Sequence, residues 1–389
     1  MDTGRTAAQD GLVVQRALVI GGGFSGMSAA IALRRIGVDV DLVEIDPQWR
    51  SYGAGISLSG PSLRAFATLG VLDEVAQQGF CGDDCDICSA DGRVIARIAT
   101  PRIAGPGVAG GGGIMRPVLA KIMAQATRAS GARVRLGCSF TRIDPGDGTA
   151  EAGVQVAFDD GSAARYEFVI GADGLNSSVR AALLPNAPRP QYTGQGVWRA
   201  VAPRPPEVVR PTMYMGRRLK AGVNPVSQQE MYLFLTEDRP TNDYVPQQQL
   251  LPQLSALLSE FPAPVLAQLR AGLSDASRIV YRPLEGLLLP RPWGRGCVQL
   301  IGDAVHATTP HLASGAGLGI EDGLVLAEEI AGGGTVIEAL ARFQDRRWER
   351  CRLVVENSLR LGEIERTGGS TQEHTDIMRH SMMALAQPI

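Results

Sequence analysis

Apolar positions first gather in a short unbroken run, Ala17-Leu18-Val19-Ile20, which ends at Gly21-Gly22-Gly23. A run of that length closed by glycine predicts a parallel strand buried on both faces. Ser25 to Ile36 is rich in Ala, Met, Leu and Ile and predicts a helix, with Gly37 as its stop. Val38 to Glu44 alternates and is β-branched, so it predicts a second strand and completes a βαβ unit. The polar, small residues Met1 to Leu12 before it predict a loose tail.

The same pattern predicts one or two helices over Pro61 to Gln78, a small-residue loop from Ile103 to Gly113, and a helix from Pro117 to Ser130 closed by Gly131. Asp91-Gly92 and Asp160-Gly161 lie between β-like runs and signal hairpins. Phe168 to Ile170 predicts a buried strand before Gly171. From about Pro188 the texture shifts: prolines cluster, and no glycine occurs from Val223 to Ala271. Met213 to Met215 and Met231 to Leu235 predict sheet strands, and Gln247 to Leu258 a helix. Cys297 to Ile301 predicts a strand leading to Gly302. Helical patterns follow from Gly317 to Ile330 and from Thr335 to about Leu361.

A chain of 389 residues suggests two or three domains. Its formal charge of −2 supplies no basic field for nucleic acid. Lysine occurs only at Lys121 and Lys220, and aromatics, at 5%, are too sparse for an RNA stacking platform. Six cysteines over this length do not make a disulfide scaffold. There is no signal-peptide pattern, and no apolar run reaches the roughly 18 residues that span a bilayer. The expectation is a cytoplasmic protein with no membrane and no nucleic-acid partner. Cys85-Asp86-Ile87-Cys88 spells CxxC, but an offset of three in a strand points the sulfurs to opposite faces, so no metal site is expected.

Candidate chemistry begins at Gly21-Gly22-Gly23-Phe24-Ser25-Gly26, a GxGxxG turn between a strand and a helix. Gly21 would allow the turn, Gly23 the approach of a pyrophosphate, and Gly26 the contact of helix with strand. The helix start offers free N–H groups and a positive dipole to phosphates. Glu44, at the end of the second strand, is placed to accept hydrogen bonds from an adenosine ribose. Two further motifs follow: Val169-Ile170-Gly171-Ala172-Asp173-Gly174 continuing to Arg180, and Leu300-Ile301-Gly302-Asp303-Ala304-Val305-His306 continuing through Thr309-Pro310-His311 and Ser314-Gly315-Ala316-Gly317-Leu318-Gly319.

In this order the three motifs closely resemble the class A, single-component FAD-dependent aromatic hydroxylases, over about residues 14 to 360. The branch they resemble most holds the salicylate, hydroxynicotinate and urate hydroxylases. The resemblance implies FAD as cofactor, NADH or NADPH as co-substrate, and O₂ transfer through a flavin C4a-hydroperoxide to a small aromatic or heteroaromatic ring. It implies that Asp303 binds the ribityl and phosphate region, and that Gly315, Gly317, Leu318 and Gly319 pass the isoalloxazine. Asp173 matches the position near the flavin phosphates, and Arg116 a flavin-contacting arginine. Arg50, with Gly55 and Ile56, matches the loop beside the flavin. Ser314 stands where many relatives carry Gln.

On the substrate side, the urate hydroxylase branch uses an Arg and a Tyr on the sheet, and the run Asn224-Pro225-Val226 aligns Lys220 and Tyr232 with them. If Ser227 to Gln229 is the turn, Asn224 pairs with Tyr232, and Lys220 and Tyr232 share a sheet face. Pro310 and His311 are candidates to line the ring pocket or to act on a substrate proton, with local hydrogen bonding the other reading of His311. Tyr214 and Arg199 are substrate-side candidates by location.

The expected fold is α/β, with a Rossmann-like FAD-binding domain assembled from 12–74, 112–187 and 286–365. An inserted β-sheet substrate domain takes 75–111 and 188–285, and 366–389 forms a C-terminal tail or helix. The expected oligomer is a monomer or homodimer. Rival functions on this fold are oxidation of a larger natural product, by epoxidation or ring modification, and a flavin dehydrogenase or oxidase.

Overall fold

The computed structural model describes residues 14–51, 53–146 and 153–389, so the expected Met1–Leu12 tail lies outside the described residues. Arg16–Ile20 forms the expected strand, and Ala17 to Ile20 are all buried. It lies inside a six-stranded sheet ordered Gly294–Arg295, Val298–Leu300, Phe168–Gly171, Arg16–Ile20, Asp39–Glu44, Arg133–Leu136. Every neighbouring pair is parallel except the first, as burial between helical layers requires.

Helix Phe24–Arg35 packs against helix Gly315–Ala331. The contact is close because Gly323 faces the Ala29 backbone with no side chain between them, and Ser28 Oγ donates to the Ile320 carbonyl at 2.7 Å. The chain leaves helix Phe24–Arg35 through Gly37 at φ 95°, a left-handed position that suits glycine.

The expected loop Ile103 to Gly113 ends in a strand, while residues 103–110 are irregular as expected. Gly111–Met115 is the middle of a three-stranded antiparallel sheet, between Gly55–Ser59 and Phe80–Gly82, and all five residues are buried. A Cβ on Gly112 would strike the Phe80 carbonyl, and one on Gly113 the Pro225 carbonyl. The residue that permits this packing is the one that hides a strand, because strand propensity is read from side chains.

A seven-stranded sheet is ordered Ile279–Gly286, Gln191–Pro203, Glu230–Asp238, Lys220–Pro225, Thr212–Met215, Cys85–Ser89, Val94–Ile98. The 13-residue strand Gln191–Pro203 was not predicted; Gly194 and Gly196 interrupt it and its register shifts between Tyr192 and Gly196. The hairpin register is the one expected. The Val226 N–H donates to the Glu230 carbonyl, Asn224 pairs with Tyr232, and Lys220 pairs with Thr236. Helices Gln247–Leu258 and Pro264–Gly272 cover one face of this sheet, where Leu254, Leu258 and Leu266 pack with Trp198, Leu233 and Leu235.

The long helix Val336–Thr367 runs six residues past the expected Leu361, starts in a Thr335/Glu338 capping box and stops at Gly368. A last helix, Thr371–Ala386, runs back along it, with Asn357 Nδ2 donating to Ser381 Oγ at 2.9 Å. Among the described residues, no helix is long and apolar enough to cross a membrane.

Candidate active site

The turn after the first strand is sterically set. Gly21 has φ 107°, and a Cβ there would meet the Ala172 carbonyl; a Cβ on Gly26 would meet the Gly21 carbonyl. Gly23 differs, because a Cβ there would have no atom within 4 Å. Open space therefore lies in front of the first helix's N-terminus, where its N–H groups and dipole favour an anion. Ser25 is wedged at the back, against Gly302 and Gly319, neither of which has room for a side chain. The Gly22 N–H donates to Glu44 Oε2 at 2.7 Å, and the Asp46 N–H to Glu44 Oε1 at 2.8 Å. Glu44 is thus fixed at the strand end with acceptor capacity to spare.

Arg116 opens helix Arg116–Ala129 with its guanidinium 5.2 Å over the Phe24 ring. Burial pulls its pKa down and Asp303, exposed at the start of helix Asp303–His306, pulls it up. Among the described residues Arg116 has no hydrogen-bonded or ion-paired partner for its guanidinium. The first residues of helix Gly315–Ala331, with Gly317 against Ser62 and Gly319 against Ser25, bring a second N-terminus to this side. Ser314 Oγ turns away to donate to the Leu312 carbonyl at 2.8 Å. Room at Gly23, a half-buried guanidinium without an ion pair at Arg116 and two helix starts form a cradle that fits the dinucleotide phosphates of FAD.

Two candidates on this side are engaged elsewhere. Arg50 is exposed and pairs with Asp46 at 3.0 Å. Asp173 accepts from Ser177 Oγ at 2.5 Å and from the Val179 N–H at 3.0 Å, which fixes the start of helix Ser178–Leu183. Gly55, in strand Gly55–Ser59 with Ile56, lies directly under the Tyr232 ring and has no room for a Cβ.

Facing this side is the face of the seven-stranded sheet opposite the two helices. Strand alternation and the register put Lys220, Asn224, Tyr232, Phe234, Arg199 and Val201 on it. Tyr214 falls on the other face, in the core under the two helices, where burial pushes its hydroxyl up to about 12. The location argument for Tyr214 therefore fails by one step of the pleat.

Tyr232 is buried with its hydroxyl 2.6 Å from Ser57 Oγ, which also accepts from Asn224 Nδ2 at 2.8 Å. Lys220 lies four residue steps from the Asn224–Tyr232 pair, about 13 Å along the strand. Its Nζ is 2.6 Å from Glu365 Oε1, and both side chains are 13% exposed. His311, beside exposed Pro310 in the single turn Pro310–Leu312, has Nδ1 2.9 Å from Thr309 Oγ1. Its Nε2 lies 3.4 Å from Glu365 Oε2, too poorly aligned for a hydrogen bond, and burial pulls the imidazole pKa down. Lys220 and His311 are thus brought together at one end of the face, while Tyr232 sits at the other.

Arg199 lies between them in chain register. Its guanidinium has no hydrogen bond or ion pair among the described residues. Burial pulls its pKa down, Tyr232 opposes that, and the charges of Arg116 and Arg282 add to it. An enclosed cation without a counter-ion is costly, so this one points to an anionic or electron-rich ligand. Sequence reasoning missed Glu365, Ser57 and the positional weight of Asn224. Glu365 is one of many charges on a helix, and only the fold brings it to the sheet.

Away from the site, His306, Asp322 and Cys351 are buried close together. Asp322 accepts from His306 Nε2 at 2.6 Å, Arg347 Nε at 2.8 Å and the Gly302 N–H at 2.8 Å. A carboxylate already balanced by arginine and imidazole holds the core together and has no need of a metal ion. Cys88 lies in the sheet core as a free cysteine.

The profile of a family described as FAD binding domain matches residues 15–358. Aurachin C monooxygenase/isomerase of Stigmatella aurantiaca is 30% identical over 353 residues, 89% of this chain and 88% of that protein. The 2-heptyl-3-hydroxy-4(1H)-quinolone synthase of Pseudomonas aeruginosa is 30% identical over 356 residues, with the same shares covered. The crystal structure of Klebsiella pneumoniae HpxO complexed with FAD and uric acid superposes with a TM-score of 0.78 at 25% identity, covering 96% of this chain and 93% of that one. With its glycine cradle, its two helix starts and a profile match over most of its length, the chain belongs to the FAD binding domain family, among the class A flavoprotein monooxygenases.

Proposed function

We propose that this monooxygenase hydroxylates a small aromatic or N-heteroaromatic compound, with NADH or NADPH as reductant and O₂ as the oxygen source. Bound FAD supplies the redox and oxygen chemistry. In this reading Gly21, Gly23, Phe24, Ser25 and Gly26 form the pyrophosphate turn and Glu44 takes the ribose hydroxyls. Arg116, Asp173 and Asp303 line the phosphate and ribityl path, and Arg50, Gly55 and Ile56 flank the ring. Gly315, Gly317, Leu318 and Gly319 carry the helix start toward the flavin pyrimidine edge, where its dipole stabilises negative charge. The division into a flavin domain, an inserted sheet domain and a C-terminal helix belongs to the same reading, as do a cytoplasmic location and a monomeric or homodimeric state.

The observation that carries the substrate assignment is the partnerless guanidinium of Arg199, on one sheet face with Tyr232 and Lys220. A ring bearing a hydroxyl oxygen, a carboxylate or a deprotonated ring nitrogen supplies the missing acceptor. Tyr232 and Lys220 would bind and orient that ring, with Pro310 and His311 closing the end of the pocket. The apolar Phe234 and Val201 beside them help exclude water. One of the similar proteins is named for a quinolone product and another is bound to uric acid, which supports a nitrogen heterocycle. A second reading, oxidation of a larger natural product, is favoured by the likeness to a quinolone synthase whose named product carries a heptyl chain.

The test is a screen of aromatic acids, hydroxypyridines, purines and quinolones for faster NAD(P)H oxidation by the flavin-loaded protein, run beside Arg199→Met. The expected result is stimulation by at least one class in the wild type and its loss in the variant, with flavin retained. Equal stimulation in the two proteins would remove Arg199 from the site.

A further inference from the structure

One carboxylate ties the substrate sheet to three other elements. Glu365 stands in the last turns of helix Val336–Thr367, and Lys220 reaches it from strand Lys220–Pro225. His374 Nε2 of helix Thr371–Ala386 donates to the same Oε1 at 3.1 Å, and His311 of the flavin-side loop faces Oε2. These are the titratable groups that face Glu365: one lysine and two histidines, each from a different element. The neighbouring Arg360, Glu363 and Glu373 pair among themselves on the exposed side.

The helix is shaped for this contact. Gly362, one turn before Glu365, lies where a Cβ would press on Gln195 Oε1 and the His311 ring. Glycine is unfavourable inside a helix, so its use here allows a close approach.

We infer that Glu365 is a positioning residue of the substrate site, whose carboxylate holds Lys220 as a fixed ammonium on the inner sheet face. This rests on the reading of that face as the substrate chamber. A lysine held in this way is a cation and not a base. What meets it is an anionic or acceptor oxygen of the substrate, and the substrate's proton goes elsewhere. Glu365 itself is a poor proton carrier. Burial alone would raise its pKa, but Lys220, then the two imidazoles, outweigh burial and hold it well below the usual carboxylate range. Losing the carboxylate would leave Lys220 enclosed and unpaired, the arrangement a protein tolerates least.

The chain offers a direct measurement, because Lys121 and Lys220 are its only lysines and Lys121 is exposed. In flavin-loaded protein labelled at lysine Cε and Nζ, two lysine signals are expected. The Lys220 signal should be offset from that of Lys121, because its ammonium lies 2.6 Å from a carboxylate. Glu365→Gln should move the Lys220 signal and leave Lys121 in place. A Lys220 signal that coincides with that of Lys121, or one indifferent to Glu365→Gln, would overturn the inference. The wild-type measurement stands even if the variant fails to fold.

A second arm uses the compound that best stimulates NAD(P)H oxidation. Lys220→Met and Glu365→Gln should each raise KM at least tenfold with flavin retained, and the double variant should be no worse than Lys220→Met. Additive losses would assign Glu365 a structural role only. If no compound stimulates the wild type, the functional reading fails, while the lysine signals still decide whether Glu365 holds Lys220.

Discussion

Asn224 and Tyr232 face each other across the hairpin, and both side chains end on Ser57 Oγ, at 2.8 and 2.6 Å. The bond joins the seven-stranded sheet to strand Gly55–Ser59 beside the glycine cradle, so the Tyr232 hydroxyl is placed by two separate sheets. Tyr232→Phe removes one hydrogen bond and leaves Ser57 its other partner. The expected cost in stability is about 1 kcal/mol, with flavin content unchanged and substrate-stimulated NAD(P)H oxidation reduced at least tenfold. Stimulation at the wild-type level would make Tyr232 a strut and nothing more.

Tyr214→Phe is the control from the opposite face. Its side chain lies under the two helices, so this variant should keep both flavin and stimulation. A selective loss of stimulation would mean that the pocket reaches through the sheet.

The glycines of the turn should separate by what surrounds them. A Cβ on Gly26 collides with the Gly21 carbonyl, whereas one on Gly23 enters open space. Gly26→Ala should lower the melting temperature of the flavin-free protein. Gly23→Ala should leave that temperature unchanged and weaken FAD binding, because the methyl group takes the room of the pyrophosphate. Equal FAD affinity in Gly23→Ala and wild type would move the phosphates away from this turn.

The buried ion network gives stability a defined pH window. Burial alone would raise the Asp322 carboxyl, but His306 and Arg347 outweigh it and hold it at about 2. Burial alone would lower His306, but Cys351 and Asp322 beside it outweigh burial and raise its pKa well above the usual value. The depressed carboxyl contributes stability above about pH 4 that is lost as pH falls toward 2, about 2 kcal/mol in all. The raised imidazole contributes stability below about pH 6.5 that is lost as pH rises through its folded value. Unfolding in denaturant should therefore show greatest stability between about pH 4 and 6.5 from this pair. Asp322→Asn should cost about 3–5 kcal/mol by leaving buried His306 without its carboxylate and Arg347 with Glu321 alone, and a cost below 1 kcal/mol would contradict the network.

Much of the flavin side was legible in the sequence, because its turns are made of residues that backbone geometry demands. Gly21, Gly26 and Gly37 sit where only glycine fits, and the first strand and helix carry the apolar patterns of buried elements. The hairpin register was legible too, since one turn fixes every pair beyond it. The strand Gly111–Met115 was not, because glycine lacks the side chain that signals a strand. Nor was Glu365, whose partner Lys220 lies 145 residues away in the chain. Long-range ion pairs leave no local pattern, and the face to which Tyr214 points depends on a one-residue choice of register.

The most direct test of the account follows oxygen. Flavin-loaded protein, NADH or NADPH, ¹⁸O₂ and the compound that best stimulates turnover should give a product carrying one ¹⁸O atom on its ring, found by mass spectrometry. Consumption of NAD(P)H that yields only hydrogen peroxide, with no labelled product from any compound tested, would contradict a hydroxylase and leave a flavin oxidase.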